Sequence, residues 1–245
     1  MAKKAGSAAA EEPARKTMYG QVTVLNNRDH ADLTLGPLND HRHAAHLNAV
    51  AIAAAELPQA AMHYPIVFGE HNGVWSAYAV AGPRAEHNAF IGPDGAWLPG
   101  HYVPALVRRY PFILVGSPES GRLSLAADLE AECLKGSDGQ RIYEGGKPTR
   151  IADNILRFCL SFDEQMQVSG VLFKRIADAG IFVDRQAKVT LPSGETSQIS
   201  GFAIVDEKKL SELPDEIFLT LRANGVLNLI FCHLWSMRGW ENILQ

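Results

Sequence analysis

The sequence has few cysteines. Cys133, Cys159 and Cys232 lie far apart, and none stands in the CxxC spacing that zinc sites and redox pairs use. An odd number of separated cysteines does not indicate a disulfide framework. We interpret them as buried thiols in a reducing compartment, which predicts a cytoplasmic protein.

The sequence also has no excess of basic over acidic residues. The chain has 23 lysines and arginines against 27 aspartates and glutamates, for a net charge of −4. A protein without a positive field does not collect phosphate groups by releasing counterions. The charge balance therefore argues against nucleic acid as the main partner.

Long apolar runs are missing as well. The most apolar stretch, residues 44–57, is interrupted by His46, Asn48 and Glu56 and is shorter than the ~20 residues that cross a bilayer. Residues 1–17 lack the apolar core of a signal peptide and contain Pro13 among charged residues. We expect no membrane span, no secretion signal and a disordered tail over residues 1–17.

Three common catalytic and nucleotide-binding motifs are absent. The sequence contains no GxSxG nucleophile elbow, no GxGxxG dinucleotide loop and no GxxxxGK[ST] phosphate loop; residues 145–149 only imitate the last of these. Hydrolase and nucleotide-driven functions therefore lack their usual sequence signals.

What the sequence does contain is enough for one core. Of 245 residues, 47% are hydrophobic and 20% are charged, as in ordinary globular proteins. A chain of this length buries roughly 70% of its unfolded surface in one domain. We predict a single domain over residues 18–245.

Turn and helix signals predict its fold class. Asn72-Gly73 between apolar runs is typical of a two-residue hairpin turn, and residues 88–91 are predicted to continue a meander. Pro104 favours a short helix before Pro111, and apolar spacing over residues 150–178 predicts two helices or one bent helix. Hairpins mixed with helices, without regular βαβ alternation, indicate an α+β fold with an antiparallel sheet.

Three segments carry a resemblance to a known family: HYPIVF at 63–68, YVPALVRRYPF at 102–112 and SGFAIVDEKKL at 200–210. Together they resemble the bacterial SapC-like family from about residue 19 to 244, and the stretch that ends in RRYPF is the most specific. Asn88 and Trp97 stand where the family pattern places an asparagine and a tryptophan.

The resemblance implies two biological settings. The family name implies an association with bacterial surface layers. Its members also resemble proteins encoded beside flavin-dependent halogenase-like and cupin-type oxygenase genes. That neighbourhood implies an accessory role in peptide or amino-acid modification, and it is an association only.

Arg108 and Arg109 form the main predicted site. Adjacent residues cannot share a helix face, so we expect one guanidinium in solvent and the other pointing inward or at a cleft. The planar guanidinium binds a carboxylate through two hydrogen bonds, which fits the terminus of a peptide or an amino acid. The alternative is an internal ion pair with Asp206 or Glu207, because buried charges must be paired.

The remaining predicted ligand-binding residues are aromatic or amide side chains near these segments: Tyr64, Tyr102, Tyr110, Asn88 and Trp97. The tyrosines equally fit a core role in which each hydroxyl has a hydrogen-bond partner.

Histidines supply a metal-site alternative. His43 and His46 would share a face if the segment were helical, with His41 and Asp40 beside them. A surface cluster explains them more simply, because no HExxH motif or added carboxylate accompanies them. His71 and His87 sit in repeated Glu-His-Asn triplets that turn chemistry also explains.

Three functions follow as hypotheses. The first is a non-catalytic binding or accessory protein, without a cofactor, that recognises a peptide, an amino-acid-like ligand or a partner modifying enzyme. The second is a metal-dependent, oxidative enzyme that uses histidine ligands. The third, a surface-layer component, follows from the family name and conflicts with the missing secretion signal.

Overall fold

A computed structural model describes residues 17–116, 122–191 and 193–244. The predicted tail lies outside these ranges apart from Thr17. The strands are, in chain order, β1 (Val22–Val24), β2 (Thr34–Leu35), β3 (Ala49–Ile52), β4 (Ile66–His71), β5 (Val74–Val80), β6 (Phe112–Gly116), β7 (Leu123–Asp128), β8 (Gln140–Arg141), β9 (Tyr143–Glu144), β10 (Lys147–Pro148), β11 (Phe182–Thr190) and β12 (Thr196–Val205). The helices are α1 (Leu57–Ala60), α2 (Ala105–Arg108), α3 (Arg150–Asp178), α4 (Glu207–Ser211), α5 (Asp215–Ala223) and α6 (Val226–Ser236).

The larger sheet has five antiparallel strands in the order β11-β12-β4-β5-β3. Its β4–β5 hairpin turns at Asn72 and Gly73, whose φ angles are 51° and 79°. Both residues tolerate positive φ, and a right-handed strand twist favours this kind of turn. The predicted hairpin is therefore confirmed.

The smaller main sheet has three antiparallel strands in the order β1-β7-β6. Ala127 in the central strand pairs with Thr23 on one side and Phe112 on the other. Two further pairs, β2 with β8 and β9 with β10, are short ladders of two residues each. Antiparallel sheets with packed helices confirm the predicted α+β single-domain fold class.

Helix α3 connects the two hydrophobic cores. It runs for 29 residues as one α-helix, where the sequence left one or two helices open. Phe173 and Ile176, near its end, belong to the cluster that covers the five-stranded sheet, and Cys159, nearer its start, belongs to the cluster under β6 and β7. One helix therefore contributes to both cores.

The α2 segment places the two arginines. Pro104 is the N-cap of α2 with φ −56°, Arg108 ends the helix, and Arg109 is its C-cap. The chain then passes through the cis Tyr110–Pro111 peptide bond into β6. Arg108 is exposed and Arg109 is buried, which confirms that the adjacent guanidiniums point in different directions.

The predicted strand at residues 88–91 is wrong. These residues form a loop, and within the part of the chain that the structure describes their one ladder contact is the isolated bridge between Ile91 and Trp97. The buried Asn88 side chain accepts from the Phe90 N–H at 3.0 Å and donates to the Ala44 carbonyl at 3.3 Å. Side-chain bonds to nearby backbone groups compete with a strand ladder, which accounts for the difference.

The last helices pack at the end of the five-stranded sheet. Asp206 caps α4 by accepting from the Lys208 and Lys209 N–H groups. Within residues 17–116, 122–191 and 193–244, no single helix is long and apolar enough to cross a membrane. One bent pair, Asp215–Ala223 with Val226–Leu244 at 95°, reaches that length and composition together.

Candidate functional site

Arg108 lies close to two aromatic rings. Its guanidinium carbon is 5.7 Å from the centre of the Tyr102 ring and 5.6 Å from that of the Phe158 ring. Its Nε donates to the Val103 carbonyl at 3.0 Å, and one Nη donates to the Tyr102 hydroxyl at 3.2 Å. These bonds use two of the five N–H donors of an arginine and fix its plane.

A buried carboxylate holds Tyr102 in turn. The Tyr102 hydroxyl donates to Glu56 Oε1 at 2.8 Å, and the Ala105 N–H donates to the same oxygen at 2.7 Å. The other oxygen of Glu56 accepts from the Ala53 N–H at 2.9 Å. Burial, and then the Glu56 charge, raise the pKa of Tyr102 to about 12, so its hydroxyl stays protonated and can donate to Glu56.

Arg109 points into the protein and forms an ion pair. Its side chain is 9% exposed, one Nη donates to Asp163 Oδ1 at 2.9 Å, and its guanidinium carbon lies 4.5 Å from the centre of the Phe162 ring. Cys159 is close by, and burial raises the pKa of its thiol to about 11 although Arg109 favours the thiolate. Arg109 thus meets an acidic and an aromatic side chain from α3.

The predicted ion-pair partners of the arginines are wrong. Asp206 caps α4, and Glu207 is an exposed residue in the first turn of that helix. The true partner, Asp163, comes from α3. The sequence interval between Arg109 and Asp163 gives no sign of their contact, because it is made by packing α3 against α2 and β6.

A cleft of about 270 Å³ opens beside the arginines. Arg108 and Arg109 line it at the end of α2, and Leu35 and Leu38 also line it. The rest of the lining is mainly apolar: Phe112, Ile155, Phe158 and Cys159. A mostly apolar cleft with a few fixed polar groups is typical of small-ligand sites.

A second, larger cavity of about 590 Å³ adjoins this cleft. Gly36, Leu38 and Tyr110 line both, so they form the wall between the two. The lining of the larger cavity is rich in carboxylates: Asp40, Asp128, Glu130, Glu132 and Asp138. We call it the acidic cavity.

Tyr110 joins the wall to a buried carboxylate. Its hydroxyl donates to Asp128 Oδ2 at 3.1 Å, and the same oxygen accepts from the Gly20 N–H at 2.7 Å. Burial and the Asp128 charge raise the pKa of Tyr110. The His43 ring stacks on the Tyr110 ring, and burial lowers the pKa of His43 to about 4.

Three other predicted site residues lie in the core. Tyr64 is fully buried, accepts a hydrogen bond from Trp97 Nε1 at 3.2 Å and donates to the Tyr102 carbonyl. Asn88 is buried in the loop described above. These contacts support the backbone that carries Tyr102.

His43 lies in a short 3₁₀ helix, Arg42–Ala44. This helix ends before His46, so the two histidines do not share a helix face as the helical prediction required. His41 lies 6.0 Å from His43 between ring centres and packs edge-on against Trp97. Among the residues the structure describes, no three His, Cys, Asp or Glu side chains are grouped so as to hold a metal ion. His71 ends β4, whereas His87 lies in the loop after β5.

Comparison with models of known protein families shows which family the chain belongs to. The SapC family matches residues 25–243 of the 245 residues. The chain belongs to the SapC family. Comparisons with curated proteins and with solved structures find no match. In this SapC family chain, the matched range contains α2, α3, the whole lining of the cleft beside the arginines, and all of the acidic cavity's lining except Met18 and Gly20.

Sequence reasoning on this SapC family member missed three carboxylates: Glu56, Asp128 and Asp163. Glu56 had a usable signal, because it is the one acidic residue in an alanine-rich apolar stretch. An acid in such a stretch is rarely buried without partners. Asp128 ends β7 and Asp163 lies within α3. Both elements pack against parts of the chain that are distant in sequence, so the sequence alone did not indicate the contacts of these two residues.

Proposed function

We propose that this SapC family protein is a non-catalytic binding protein whose cleft beside Arg108 holds the carboxylate of a peptide or an amino-acid-like ligand. The observation that carries the proposal is the position of Arg108 beside Tyr102 and Phe158, with three N–H donors beyond those bonded to Val103 and Tyr102. A guanidinium fixed in this way loses little conformational entropy when it binds a carboxylate.

The cleft also suits the group attached to that carboxylate. Phe112, Ile155 and Phe158 offer apolar surface next to the cation. A volume of about 270 Å³ favours one side chain or one small molecule over a long segment. Burial of an apolar side chain adds roughly 25 cal/mol for each Å² removed from water. The ligand we propose therefore ends in a carboxylate and carries an apolar group.

The carboxylate bound in the cleft could also come from a second source. A partner modifying enzyme that presents its own C-terminus offers the same terminal group as a free peptide. In either case we propose a cytoplasmic protein, in keeping with three cysteines that form no disulfide. The metal-dependent and surface-layer alternatives stay separate predictions, tested by elemental analysis and by cell fractionation.

Calorimetric titration tests the proposal. The probes are acetyl-Ala-Ala-Leu with a free carboxyl end and the same peptide as its amide. We expect the free acid to bind at least about tenfold more tightly, because a charge-assisted hydrogen bond to a carboxylate contributes roughly 1.5–3 kcal/mol. Equal binding of acid and amide, or no binding of either, would contradict the proposal.

Two variants make the test specific. Arg108→Gln removes the charge, and we expect it to abolish the preference for the free acid. Arg222→Gln is the control, since Arg222 is an exposed arginine in the last turn of α5, on a different helix. It should bind both peptides as the unchanged protein does. A preference that survives in Arg108→Gln would assign the carboxylate to another residue.

A further inference from the structure

The cleft beside the arginines has two cations in its lining and, among the described residues, no acid. Arg108 is exposed, and no aspartate or glutamate in the described part of the chain forms an ion pair with it. Arg109 is paired with Asp163, which does not line the cleft. The terminal carboxylate of the proposed ligand therefore balances one charge, that of Arg108.

Arg109 has an N–H donor without an acceptor. Its side chain is 9% exposed, and its buried Nε has no hydrogen-bond partner among the described residues. One Nη donates to Asp163 at 2.9 Å, and the Phe162 ring lies against the guanidinium carbon. Burial raises the pKa of the nearby Tyr19, and the Arg109 charge opposes that rise. None of these contacts satisfies Nε–H, and a buried donor without an acceptor is unfavourable.

The other side chains that line the cleft are apolar or already bonded. The Tyr110 hydroxyl donates to Asp128, and the Asn154 side-chain oxygen accepts from Arg157. Apolar surface comes from Phe112, Ile155, Phe158 and Cys159. A group that enters the cleft therefore meets apolar surface and one buried N–H donor. This combination favours an apolar group that contains one acceptor oxygen.

The two arginines lie at different depths of the cleft. Arg108 is exposed, whereas Arg109 and the neighbouring Cys159 are buried. A carboxylate held by the exposed Arg108 therefore directs the group attached to it toward Arg109. The acceptor for Nε–H must belong to that attached group.

Charge favours a neutral acceptor. Asp163 already balances Arg109, so a second carboxylate at this depth would add an unbalanced negative charge near Asp163. An ammonium group in the cleft would face two guanidiniums and, among the described lining residues, no acid. A carbonyl oxygen has neither disadvantage.

From these features, and resting on the proposed function, we infer that the ligand group in the cleft carries a neutral acceptor oxygen, a keto, ester or amide carbonyl, that accepts from Arg109 Nε–H. Arg108 then binds the carboxylate, and Arg109 determines specificity for the attached group. A site with a fixed donor rejects a hydrocarbon of the same shape, because the donor would stay buried without a partner.

Peptides whose last side chains share one shape test the inference by calorimetry. The probes are acetyl-Ala-Ala-X with a free carboxyl end, where X is homoleucine, glutamate or the methyl-ketone analogue of glutamine. We expect the ketone to bind at least about tenfold more tightly than homoleucine, because its carbonyl accepts from a charged donor. Glutamate should bind at least about threefold more weakly than the ketone, because its second carboxylate is not balanced.

A variant and a spectroscopic measurement assign the contact to Arg109. Arg109→Lys keeps a positive charge for Asp163 and removes the Nε–H donor, so a folded variant should bind the ketone and homoleucine peptides equally. Arg175→Lys, an exposed arginine in the last turn of α3, is the control and should keep the preference for the ketone. In the unchanged protein, nitrogen NMR should show the Arg109 Nε–H proton resonance move downfield with the ketone peptide and not with the homoleucine peptide.

The outcomes separate the two proposals. Equal affinity for the ketone and homoleucine acids would overturn the inference and leave the carboxylate site standing. A glutamate peptide that binds as tightly as the ketone would overturn the neutral acceptor. A preference for the ketone that persists in a folded Arg109→Lys, or an Nε–H resonance that does not move with the ketone, would also overturn the inference. If no free acid binds at all, both proposals fail together.

Discussion

The His43 ring stacks on the Tyr110 ring, with centres 3.9 Å apart and planes 9° from parallel. His43 Nε2 lies 3.3 Å from the Val107 carbonyl, so the neutral imidazole donates there. Both rings line the acidic cavity, and Tyr110 also lines the neighbouring cleft. The stack therefore fixes the position of the wall between two regions of opposite charge.

Loss of the Tyr110 hydroxyl should destabilise the protein without removing the stack. Tyr110→Phe leaves the buried Asp128 carboxylate with one donor fewer, so we expect the free energy of unfolding to fall by about 1.5–3 kcal/mol. Urea denaturation measures it. Tyr143→Phe, on β9, is the control and should change stability by less than about 0.5 kcal/mol. An unchanged Tyr110→Phe variant would mean that water replaces the hydroxyl.

Tyr102 should act on ligand binding through Arg108. Tyr102→Phe removes the hydroxyl that joins Glu56 to Arg108. We expect the affinity for the free-acid peptide to fall about three- to tenfold, because the guanidinium is no longer held in one plane, and the affinity for the amide to stay the same. Calorimetry on both peptides checks this. An equal loss for acid and amide would indicate general unfolding of the cleft instead.

The ion pair of Arg109 should matter more than an exposed pair on the same helix. Asp163→Asn leaves the buried guanidinium without its counter-charge, and we expect a loss of about 1–2 kcal/mol, since Asp163 is 37% exposed and partly screened. Asp178→Asn breaks an exposed pair with Lys174 four residues apart and should cost at most about 0.5 kcal/mol. Chemical denaturation compares the two. Equal losses would show that Arg109 is not effectively buried.

Stability should fall between pH 6.5 and pH 4 because of His233. It is fully buried, accepts from the Val205 N–H at 3.0 Å and donates to the Ile66 carbonyl at 2.8 Å. Burial lowers its pKa from the usual 6.5 to about 4. The unfolded chain therefore binds more protons in this interval, and the stabilisation by neutral His233 is complete above pH 6.5 and lost as the pH falls.

This effect amounts to about 3–4 kcal/mol at most, at about 1.4 kcal/mol for each pKa unit. Urea denaturation at several pH values measures the slope. His233→Gln should reduce the slope between pH 6.5 and 4 without abolishing it, because burial lowers the pKa of His43 to about 4 as well. His71→Gln, at an exposed residue at the end of β4, should leave the slope unchanged. Parallel slopes in all three proteins would assign the pH dependence to other groups.

Local signals predicted most of the elements. Asn72-Gly73 predicted its turn and Pro104 predicted the start of α2, because each of these residues acts on its own backbone. The loop at residues 88–91 was missed, since Asn88 satisfies backbone groups that a strand ladder would use. Turn, cap and proline effects depend on a few neighbours, and a sequence shows those directly.

The candidate site was only half predictable. The opposite directions of Arg108 and Arg109 follow from helix geometry alone. Their partners do not, because Glu56, Phe158 and Asp163 reach them from elements separated by about fifty residues in sequence. The acidic cavity was missed for the same reason, since Asp40 and Asp138 lie in separate loops and Asp128 ends β7.

The continuity of α3 has a mechanical consequence. Its 29 residues extend from the core beneath β6 and β7 to the core beneath the five-stranded sheet. At about 1.5 Å per residue, the helix is some 40 Å long. A ligand held against Arg108 and Phe158 would therefore contact a helix that packs in both cores. Ligand binding in the cleft would therefore raise the melting temperature of both sheets together, in a single unfolding transition.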